Sequence, residues 1–391
     1  MAIEASNEAG RQARIRLGMV GGGQGAFIGA VHRIAARIDD QFELVAGALA
    51  SDPGRAMASA KELGLASDRA YGSFEEMAKA EAARADGIEA VAIVTPNHMH
   101  APIAKAFLQA GIHVICDKPL TTTVADAEEL VALVKATGRV FVVTHNYTGY
   151  PMVRQARAMV ANGELGDIRL VQAEYLQDWL TERLETSNQK QAAWRTDPAR
   201  SGAGGCIGDI GTHAYNLACF VSGLELDELL AELSTFVEGR RLDDDVQILL
   251  KWKGGAKGML WASQVAVGNE NGLTLRIYGS KGGLEWAQEN PNQLWFTPHG
   301  RPKQLLTRGG AGAIGAAARV TRIPSGHPEG YLEGFATIYA EAARAIHAAR
   351  AGGKPDPAVL FPTVEDGLAG VKFIDAAVKS SAGKGVWVRM R

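Results

Sequence analysis

Five apolar segments alternate with helical segments in the first 147 residues, and this alternation constrains the fold more than any other feature. The segments are residues 15–20, 42–49, 90–94, 113–116 and 140–144. Strands of continuous apolar character, separated by amphipathic helices, are typical of a parallel sheet that is covered by helices on both faces. Residues 1–147 are therefore predicted to form an α/β domain of the Rossmann type.

The first segment runs directly into the glycine-rich stretch Gly21-Gly22-Gly23-Gln24-Gly25-Ala26-Phe27-Ile28-Gly29. In a turn between a strand and a helix, glycines let the backbone approach a pyrophosphate, and the helix N-terminus offers free N–H groups. A glycine cluster alone is also compatible with a flexible turn, but the strands that follow favour a dinucleotide. The predicted contacts from this turn to NAD or NADP are Gly21, Gly23, Gln24, Gly25, Ala26 and Phe27.

The tip of the second strand usually decides between NAD and NADP. Ser51 fills the turn, Asp52 could bind a ribose 2′-hydroxyl, and Arg55 could bind a 2′-phosphate. This pattern favours NAD only weakly and does not exclude NADP. Asp52 and Pro53 equally fit the N-cap and the first position of a helix.

Polar residues follow the third and fourth strands, at the edge of a parallel sheet where ligands bind. The segment Thr95-Pro96-Asn97 follows the third strand, and Asp117-Lys118-Pro119 follows the fourth. A lysine at this edge can hydrogen-bond a substrate oxygen and stabilise the charge that develops during hydride transfer. Taken by itself, Lys118 would more often be a surface lysine.

A carboxylate and an imidazole lie four residues apart just after the glycines Gly204 and Gly205. On a regular helix, Asp209 and His213 would share one face. Histidine titrates at a pKa of about 6.5, which suits proton transfer near neutral pH. Such a pair is more often a surface hydrogen bond than a catalytic pair, so its assignment depends on the rest of the chain.

The second half contains several consecutive strands without intervening helices. These strands are predicted at residues 168–179, 231–237, 246–252, 257–264 and 273–278. Such an order favours an α+β domain with a large, mainly antiparallel open sheet. The predicted domains are therefore residues 1–147 and residues 148–391.

A strand with period-two alternation places Tyr175, Gln177 and Trp179 on one face. An aromatic plane and an amide suit a sugar, although plain strand packing explains the same pattern equally well. Trp194 and Arg195 add a second aromatic ring and a cation. Arg195 could bind an anionic substituent, but a surface salt bridge is the commoner role.

The composition argues against several other classes of protein. The 41 basic and 43 acidic residues are spread along the chain, so neither nucleic acid nor an anionic membrane is an expected partner. The three cysteines, Cys116, Cys206 and Cys219, show no zinc or disulfide spacing. We therefore expect no metal site and a cytoplasmic location.

These motifs together resemble the glucose-fructose oxidoreductase / inositol dehydrogenase (Gfo/Idh/MocA) family, over nearly the whole chain. The matching elements are the glycine turn, Thr95-Pro96-Asn97 with His100 beyond it, Asp117-Lys118-Pro119 in place of the usual Glu-Lys-Pro, and the element Asp209-x-x-x-His213. The residues from Tyr175 to Trp179 resemble the levoglucosan dehydrogenase branch. In one respect the chain departs from the family, because GxGxxG read from Gly21 and Gly23 ends at Ala26, and the next candidate is Gly29.

The resemblance implies hydride transfer between a secondary ring hydroxyl of a sugar, sugar derivative or cyclitol and the nicotinamide of NAD or NADP. His213 would be the general base, Lys118 would orient the same oxygen, and Asp209 would position the substrate and the imidazole. Further cofactor contacts would come from Thr95, Pro96, Asn97, His100, Asp117 and Lys118, and further substrate contacts from Asn146, Tyr147 and His327.

The family also implies a homodimer or homotetramer built on the open sheet. Two other functions are compatible with the same residues. Some relatives cleave glycosides by transient ring oxidation and elimination, and a non-catalytic sensor would bind the nucleotide alone.

Overall fold

The computed structural model describes residues 13–187 and 189–390. The strands of its first sheet are β1 (Ile15–Gly21), β2 (Phe42–Ala48), β3 (Ala90–Val94), β4 (His113–Cys116) and β5 (Phe141–Val143). Between them lie the helices α1 (Phe27–Ile38), α2 (Pro53–Glu62), α3 (Phe74–Ala83), α4 (His100–Gln109) and α5 (Val124–Thr137). The strands are parallel and lie in the order β2-β1-β3-β4-β5. The predicted Rossmann sheet is confirmed.

The central strands of this sheet are buried on both faces, which explains their continuous apolar sequences. Every residue of β3 is buried, for example. Because β2 lies on one side of β1 and β3 lies on the other, a crevice opens at the carboxyl ends of β1 and β3. Gly21 and Val94 pair at that edge.

The second half forms a nine-stranded sheet. Its strands are β6 (Ile168–Leu176), β7 (Leu226–Ser234), β8 (Asp245–Trp252), β9 (Lys257–Ser263), β10 (Gly272–Gly279), β11 (Gly282–Ala287), β12 (Gln293–Pro298), β13 (Gln304–Thr307) and β14 (Val388–Arg389). They lie in the order β13-β12-β11-β10-β6-β9-β8-β7-β14. Among the described strand pairs of this second sheet, only β6 with β9 is parallel. The predicted mainly antiparallel sheet is therefore confirmed.

The helices of this half are α6 (Pro151–Ala161), α7 (Lys190–Arg195), α8 (Pro198–Ser201), α9 (Thr212–Ser222), α10 (Gly315–Ala318), α11 (Tyr331–Arg350) and α12 (Val364–Ala382). One face of the sheet packs on α6, α9 and α12 through a shared core that includes Val171, Leu217 and Leu260. The strand predicted at 231–237 runs instead from Leu226 to Ser234, because its backbone pairs with β8 over that range. The strands β11 to β14 were not predicted.

Helix α11 packs on the Rossmann sheet and on α1. Phe335 and Tyr339 are buried in one core with Ile15, and the Tyr339 hydroxyl lies 2.8 Å from Nδ1 of His32. A division of the chain at residue 147 therefore separates parts of a single core. Within the described ranges, no helix combines the length and apolar character that a bilayer span requires.

Candidate active site

A cleft of about 1190 Å³ lies at the carboxyl ends of the parallel strands and is lined by residues of both halves. Most of the residues predicted from the sequence line this one cleft. They are Gly21, Gly23, Gln24, Gly25, Ala26, Phe27, Ser51, Arg55, Thr95, Pro96, Asn97, Asp117, Lys118, Asn146, Tyr147, Tyr175, Gln177, Trp179, Trp194, Arg195, Asp209 and His213.

The glycine turn brings β1 and α1 very close together. A Cβ atom at Gly29 would lie 2.3 Å from the carbonyl oxygen of Gly22, so only glycine fits there. The last glycine of a dinucleotide fingerprint permits this close helix–strand packing. That role therefore belongs to Gly29 rather than to Ala26, which is the N-cap residue of α1.

The N-terminus of α1 is open to a phosphate. No side chain of the described residues caps it by a hydrogen bond, and no acidic residue lies in its first turn. Gly25 has a φ of 74° and open space around the position of a Cβ, so the turn can approach a ligand with its backbone. These features fit the pyrophosphate of NAD or NADP.

At the tip of β2, the structure separates the residues proposed to select the cofactor. Ser51 and Arg55 line the cleft, whereas Asp52 does not. The Asp52 carboxylate accepts a hydrogen bond of 2.8 Å from the backbone N–H of Arg55 and caps α2. The structure therefore favours the capping role, which the sequence also allowed, over a contact of Asp52 with the cofactor.

Two predicted histidines also lie outside the cleft. His100 is fully buried, and its ring nitrogens lie 2.8 Å and 2.9 Å from the carbonyl oxygens of Pro119 and Thr95. It therefore holds the two strand-end loops together without facing a ligand. His327 is exposed in the loop before α11, and its carbonyl accepts a hydrogen bond from Arg308.

Lys118 and Asp209 form an ion pair in the cleft. The Lys118 ammonium donates to Oδ1 of Asp209 at 2.9 Å and to the Asp209 carbonyl at 2.5 Å. Oδ2 of Asp209 accepts from Gln264 at 2.9 Å and lies 3.2 Å from Nε of Arg195. Burial alone would raise the pKa of the Asp209 carboxyl, but the charges of Lys118 and Arg195 outweigh it and hold that pKa far below its usual value.

His213 is buried beside the same pair. Its ring centre lies 4.9 Å from that of Tyr147 and 5.4 Å from that of His145, and its Nδ1 finds no hydrogen-bond partner among the described residues. This arrangement leaves Nε2 as the nitrogen open to the cleft. Burial, and then the charge of Lys118, hold the pKa of His213 well below its ordinary value, so the imidazole is neutral at neutral pH.

Asp209 and His213 do not share the face of a regular helix. Residues Ile207–Gly211 form a single π-helical turn, and α9 begins only at Thr212. Within the described part of the chain, no hydrogen bond joins the carboxylate to the imidazole, because its oxygens contact Lys118, Gln264 and Arg195. In the described structure Asp209 therefore does not position the imidazole through a direct hydrogen bond.

The wall opposite the Rossmann half is polar and hydrogen-bonded. The hydroxyls of Tyr147 and Tyr175 lie 2.5 Å apart, and Oδ1 of Asn271 accepts from Tyr175 at 2.8 Å and from Gln177 at 2.9 Å. Asn271 was not predicted. Other unpredicted residues at the cleft are Lys190, Gln191, Arg200, Glu270, Gln288, Glu289 and Tyr331.

A short helix closes one side of the cleft. Helix α7 carries Trp194 and Arg195, and the guanidinium carbon of Arg195 lies 4.3 Å from the centre of the Trp194 ring. The same guanidinium donates to Oε1 of Gln191 at 2.5 Å. Arg195 is therefore held between an aromatic face and the Asp209 carboxylate, inside the site rather than on the outer surface.

Known families match both halves of the chain. Residues 15–156 match the oxidoreductase family with an NAD-binding Rossmann fold, and residues 153–285 match the GFO/IDH/MocA C-terminal domain. These ranges contain most of the residues that line the cleft.

Three similar proteins extend over most of the chain. An oxidoreductase from Sinorhizobium meliloti is 61% identical, with a TM-score of 0.88, and the match covers 96% of this chain and 100% of the other. An inositol dehydrogenase homologue from Azotobacter vinelandii, solved with NADH and myo-inositol, is 38% identical, with a TM-score of 0.90, over 96% and 97% of the two chains. The levoglucosan dehydrogenase of Pseudarthrobacter phenanthrenivorans is 30% identical over 72% of this chain and 75% of its own. The resemblance expected from the motifs is thus confirmed, and the chain belongs to the Gfo/Idh/MocA family of oxidoreductases with an NAD-binding Rossmann domain.

Proposed function

We propose that this protein transfers a hydride between a secondary ring hydroxyl of a sugar, sugar derivative or cyclitol and a nicotinamide dinucleotide. One observation carries the proposal. A neutral imidazole, His213, and an ammonium held by a carboxylate, Lys118 with Asp209, lie in the same cleft as the glycine turn.

The proposed roles in hydride transfer follow from the protonation states of His213, Asp209 and Lys118. Oxidation of an alcohol to a ketone removes a proton from the hydroxyl and a hydride from the carbon, and bound NAD(P)⁺ would supply the hydride acceptor. Neutral His213 takes the hydroxyl proton at Nε2, and the Asp209 carboxylate nearby stabilises the resulting positive charge. Lys118 donates a hydrogen bond to the same oxygen and orients it. A positioned base of this kind typically contributes about 10²- to 10⁴-fold in rate.

The charges of the cleft support a neutral, hydroxyl-rich substrate. The acidic side chains that line it balance the basic ones in number. The acidic residues are Glu75, Asp117, Asp209, Glu270 and Glu289, and the basic residues are Arg55, Lys118, Lys190, Arg195 and Arg200. The polar wall around Asn271 offers hydrogen-bonding groups instead of a net charge. The names of the relatives, inositol dehydrogenase homologue and levoglucosan dehydrogenase, agree with such a substrate.

NAD is the proposed cofactor. The related A. vinelandii structures were solved with NAD⁺ and with NADH. Arg55, however, lines the cleft near the tip of β2 and is the group that would favour NADP. A lower KM for NADP than for NAD that disappears in Arg55→Ala would contradict the choice of NAD.

We also propose that the protein is a homodimer or homotetramer. The outer face of the nine-stranded sheet exposes Leu170, Leu249, Met259, Trp261 and Trp295. Leu249 and Met259 are directly paired across β8 and β9, so at least these two exposed apolar side chains are neighbours on this face. Apolar patches of this kind commonly mark interfaces between subunits.

The direct test is an oxidation assay with a panel of sugars and cyclitols, in which NAD and NADP are supplied in parallel and reduction is followed by absorbance. We expect reduction of NAD by at least one cyclitol or pyranose, and its loss in His213→Ala with NADH binding retained. Release of an aglycone without net NADH would instead support oxidative glycoside cleavage. No reduction of either nucleotide across the panel would contradict the dehydrogenase.

A further inference from the structure

Three residues at one edge of the second sheet, each next to the terminus of a strand, build the polar wall of the cleft. Gln177 follows β6, Asn271 precedes β10, and Gln288 follows β11. The register places them together, because Gly272 pairs with Leu176 and Thr274 pairs with Ala287. The Asn271 side chain lies between the other two and is hydrogen-bonded to both.

One residue of this wall, Trp179, can only donate a hydrogen bond. Its indole N–H donates to Oε1 of Gln177 at 3.1 Å, so the Gln177 amide must direct its Nε2 the other way. That Nε2 donates to Oδ1 of Asn271 at 2.9 Å. The orientation of the Asn271 amide is therefore fixed, with its oxygen toward Tyr175 and its Nδ2 donating to Gln288 at 2.8 Å.

The same reasoning fixes the two tyrosines. Because Oδ1 of Asn271 is only an acceptor, the Tyr175 hydroxyl must donate its single hydrogen to it. In the 2.5 Å contact between the tyrosines, Tyr147 must then be the donor and Tyr175 the acceptor. The Tyr147 hydroxyl, which also interacts with the Asn271 side chain, has no hydrogen left for a ligand and can only accept one from it.

We infer that Asn271 is a specificity-determining residue that makes Tyr147 a hydrogen-bond acceptor beside the catalytic base. The Tyr147 ring lies 4.9 Å from that of His213 and both residues line the cleft, so a ring bound with one hydroxyl at His213 would bring a neighbouring substituent toward Tyr147. The favoured substrate class is a ring with vicinal hydroxyls, in which one hydroxyl loses its proton to His213 and its neighbour donates to Tyr147. This inference rests on the proposed function and narrows its substrate class.

Fluorine tests the inference directly, because it has a size near that of a hydroxyl and cannot donate. The probes are myo-inositol and a set of deoxyfluoro-myo-inositols, compared by kcat/KM and by quenching of tryptophan fluorescence in the NADH complex. We expect the wild type to prefer the vicinal hydroxyl over fluorine by at least about tenfold, since a site that lacks its donor partner leaves a buried acceptor unpaired.

Three variants separate this role from a structural one. Asn271→Leu frees the Tyr175 hydrogen, lets Tyr147 donate, and should reduce the preference to less than about threefold. Asn271→Asp still accepts from Tyr175 and Gln177, and should keep the preference. The matched control is Asn269→Asp, two residues earlier and outside the cleft lining, which should behave like the wild type. Tyr147→Phe removes the acceptor itself and should also abolish the preference, even if Asn271→Leu does not fold.

The two proposals fail in different ways. A wild type that oxidises cyclitols but shows the same preference in Asn271→Leu and Tyr147→Phe overturns the role of Asn271 and leaves the proposed function standing. A preference lost in Asn271→Asp as well as in Asn271→Leu also overturns it. A wild type that oxidises no sugar or cyclitol overturns the proposed function and this inference with it.

Discussion

The ammonium of Lys118 lies 2.9 Å from a carboxylate oxygen of Asp209, although the two residues are 91 positions apart in the chain. One follows a strand of the Rossmann sheet and the other lies in the turn that leads into α9. The contact joins the two halves of the protein at the bottom of the cleft. The two side chains therefore face the cleft as one ion pair.

Removal of the Lys118 ammonium should slow the chemical step more than it weakens nucleotide binding. Lys118→Met is expected to lower kcat about 10²- to 10³-fold, because the substrate oxygen loses its charged hydrogen-bond donor. NADH affinity, measured by fluorescence, should change by only a few fold. Lys105→Met, which removes a lysine from α4 outside the cleft lining, is the control. An unchanged kcat in Lys118→Met would contradict the role.

The pH dependence should report the depressed pKa of His213. The unprotonated imidazole is the active form in oxidation, and it prevails above its pKa. Burial and then Lys118 lower that pKa, so the acid limb of kcat/KM should lie well below about pH 6.5, the ordinary value. In Lys118→Met the limb should move to higher pH, because the lowering charge is gone. A wild-type limb at or above about pH 6.5 would argue against His213 as the base.

Gln264 should affect catalysis through Asp209. Its amide donates to Oδ2 of Asp209 at 2.9 Å and is itself buried. Gln264→Leu should lower kcat/KM by about tenfold, because one carboxylate oxygen loses its hydrogen bond. Gln264→His retains a donor and should recover part of that loss. Gln247→Leu, on the outer face of β8, should have no effect. Equal losses in the Leu and His variants would indicate a packing role only.

Asp52 should contribute to stability and not to nucleotide binding. Asp52→Ala removes the cap of α2 and should cost about 1 kcal/mol in the free energy of unfolding. The matched control is Thr123→Ala, which removes the equivalent cap of α5 outside the cleft lining and should cost a similar amount. Denaturant unfolding and NADH titration measure the two quantities. A tenfold weaker affinity for NADH in Asp52→Ala alone would restore the cofactor role.

The outer face of the nine-stranded sheet should carry the subunit interface. Met259 is 54% exposed at the centre of this face, and Met259→Glu should convert the oligomer to a monomer. Size-exclusion chromatography with light scattering measures the change. Met57→Glu alters an exposed methionine of α2 and should leave the assembly intact. A wild-type monomer at micromolar concentration would contradict the proposed oligomer.

The parallel sheet was predictable because its strands are buried on both faces. A segment such as Ala90–Val94 is apolar at every position, so its local sequence already reports its environment. The glycine turn was predictable for a similar reason. The position of the last required glycine in that turn was not predictable. Gly29 has this role because it contacts Gly22 closely in the folded chain, and the spacing of glycines in the sequence does not specify that contact.

Asn271 shows why part of the polar wall could not be predicted from the sequence. Its partners come from three strands whose alignment depends on the register of β6, β10 and β11. A single polar residue between a loop and a strand has no local pattern that distinguishes it from a solvent-exposed asparagine. Asp209 shows a second limit, because a π-helical turn replaces the regular helix on which the shared face with His213 depended.

The return of α11 to the Rossmann sheet also affects synthesis of the chain. The core around Ile15 includes Phe335 and Tyr339, so the first half cannot complete its packing when β5 leaves the ribosome. Roughly 190 further residues must be made first, which takes about 10 to 40 s at ordinary translation rates. During that interval α1 covers this apolar side of the nascent parallel sheet without its partner α11. The sheet that binds the nucleotide is therefore among the first elements to be synthesised, but its hydrophobic core is completed only after α11 has been made.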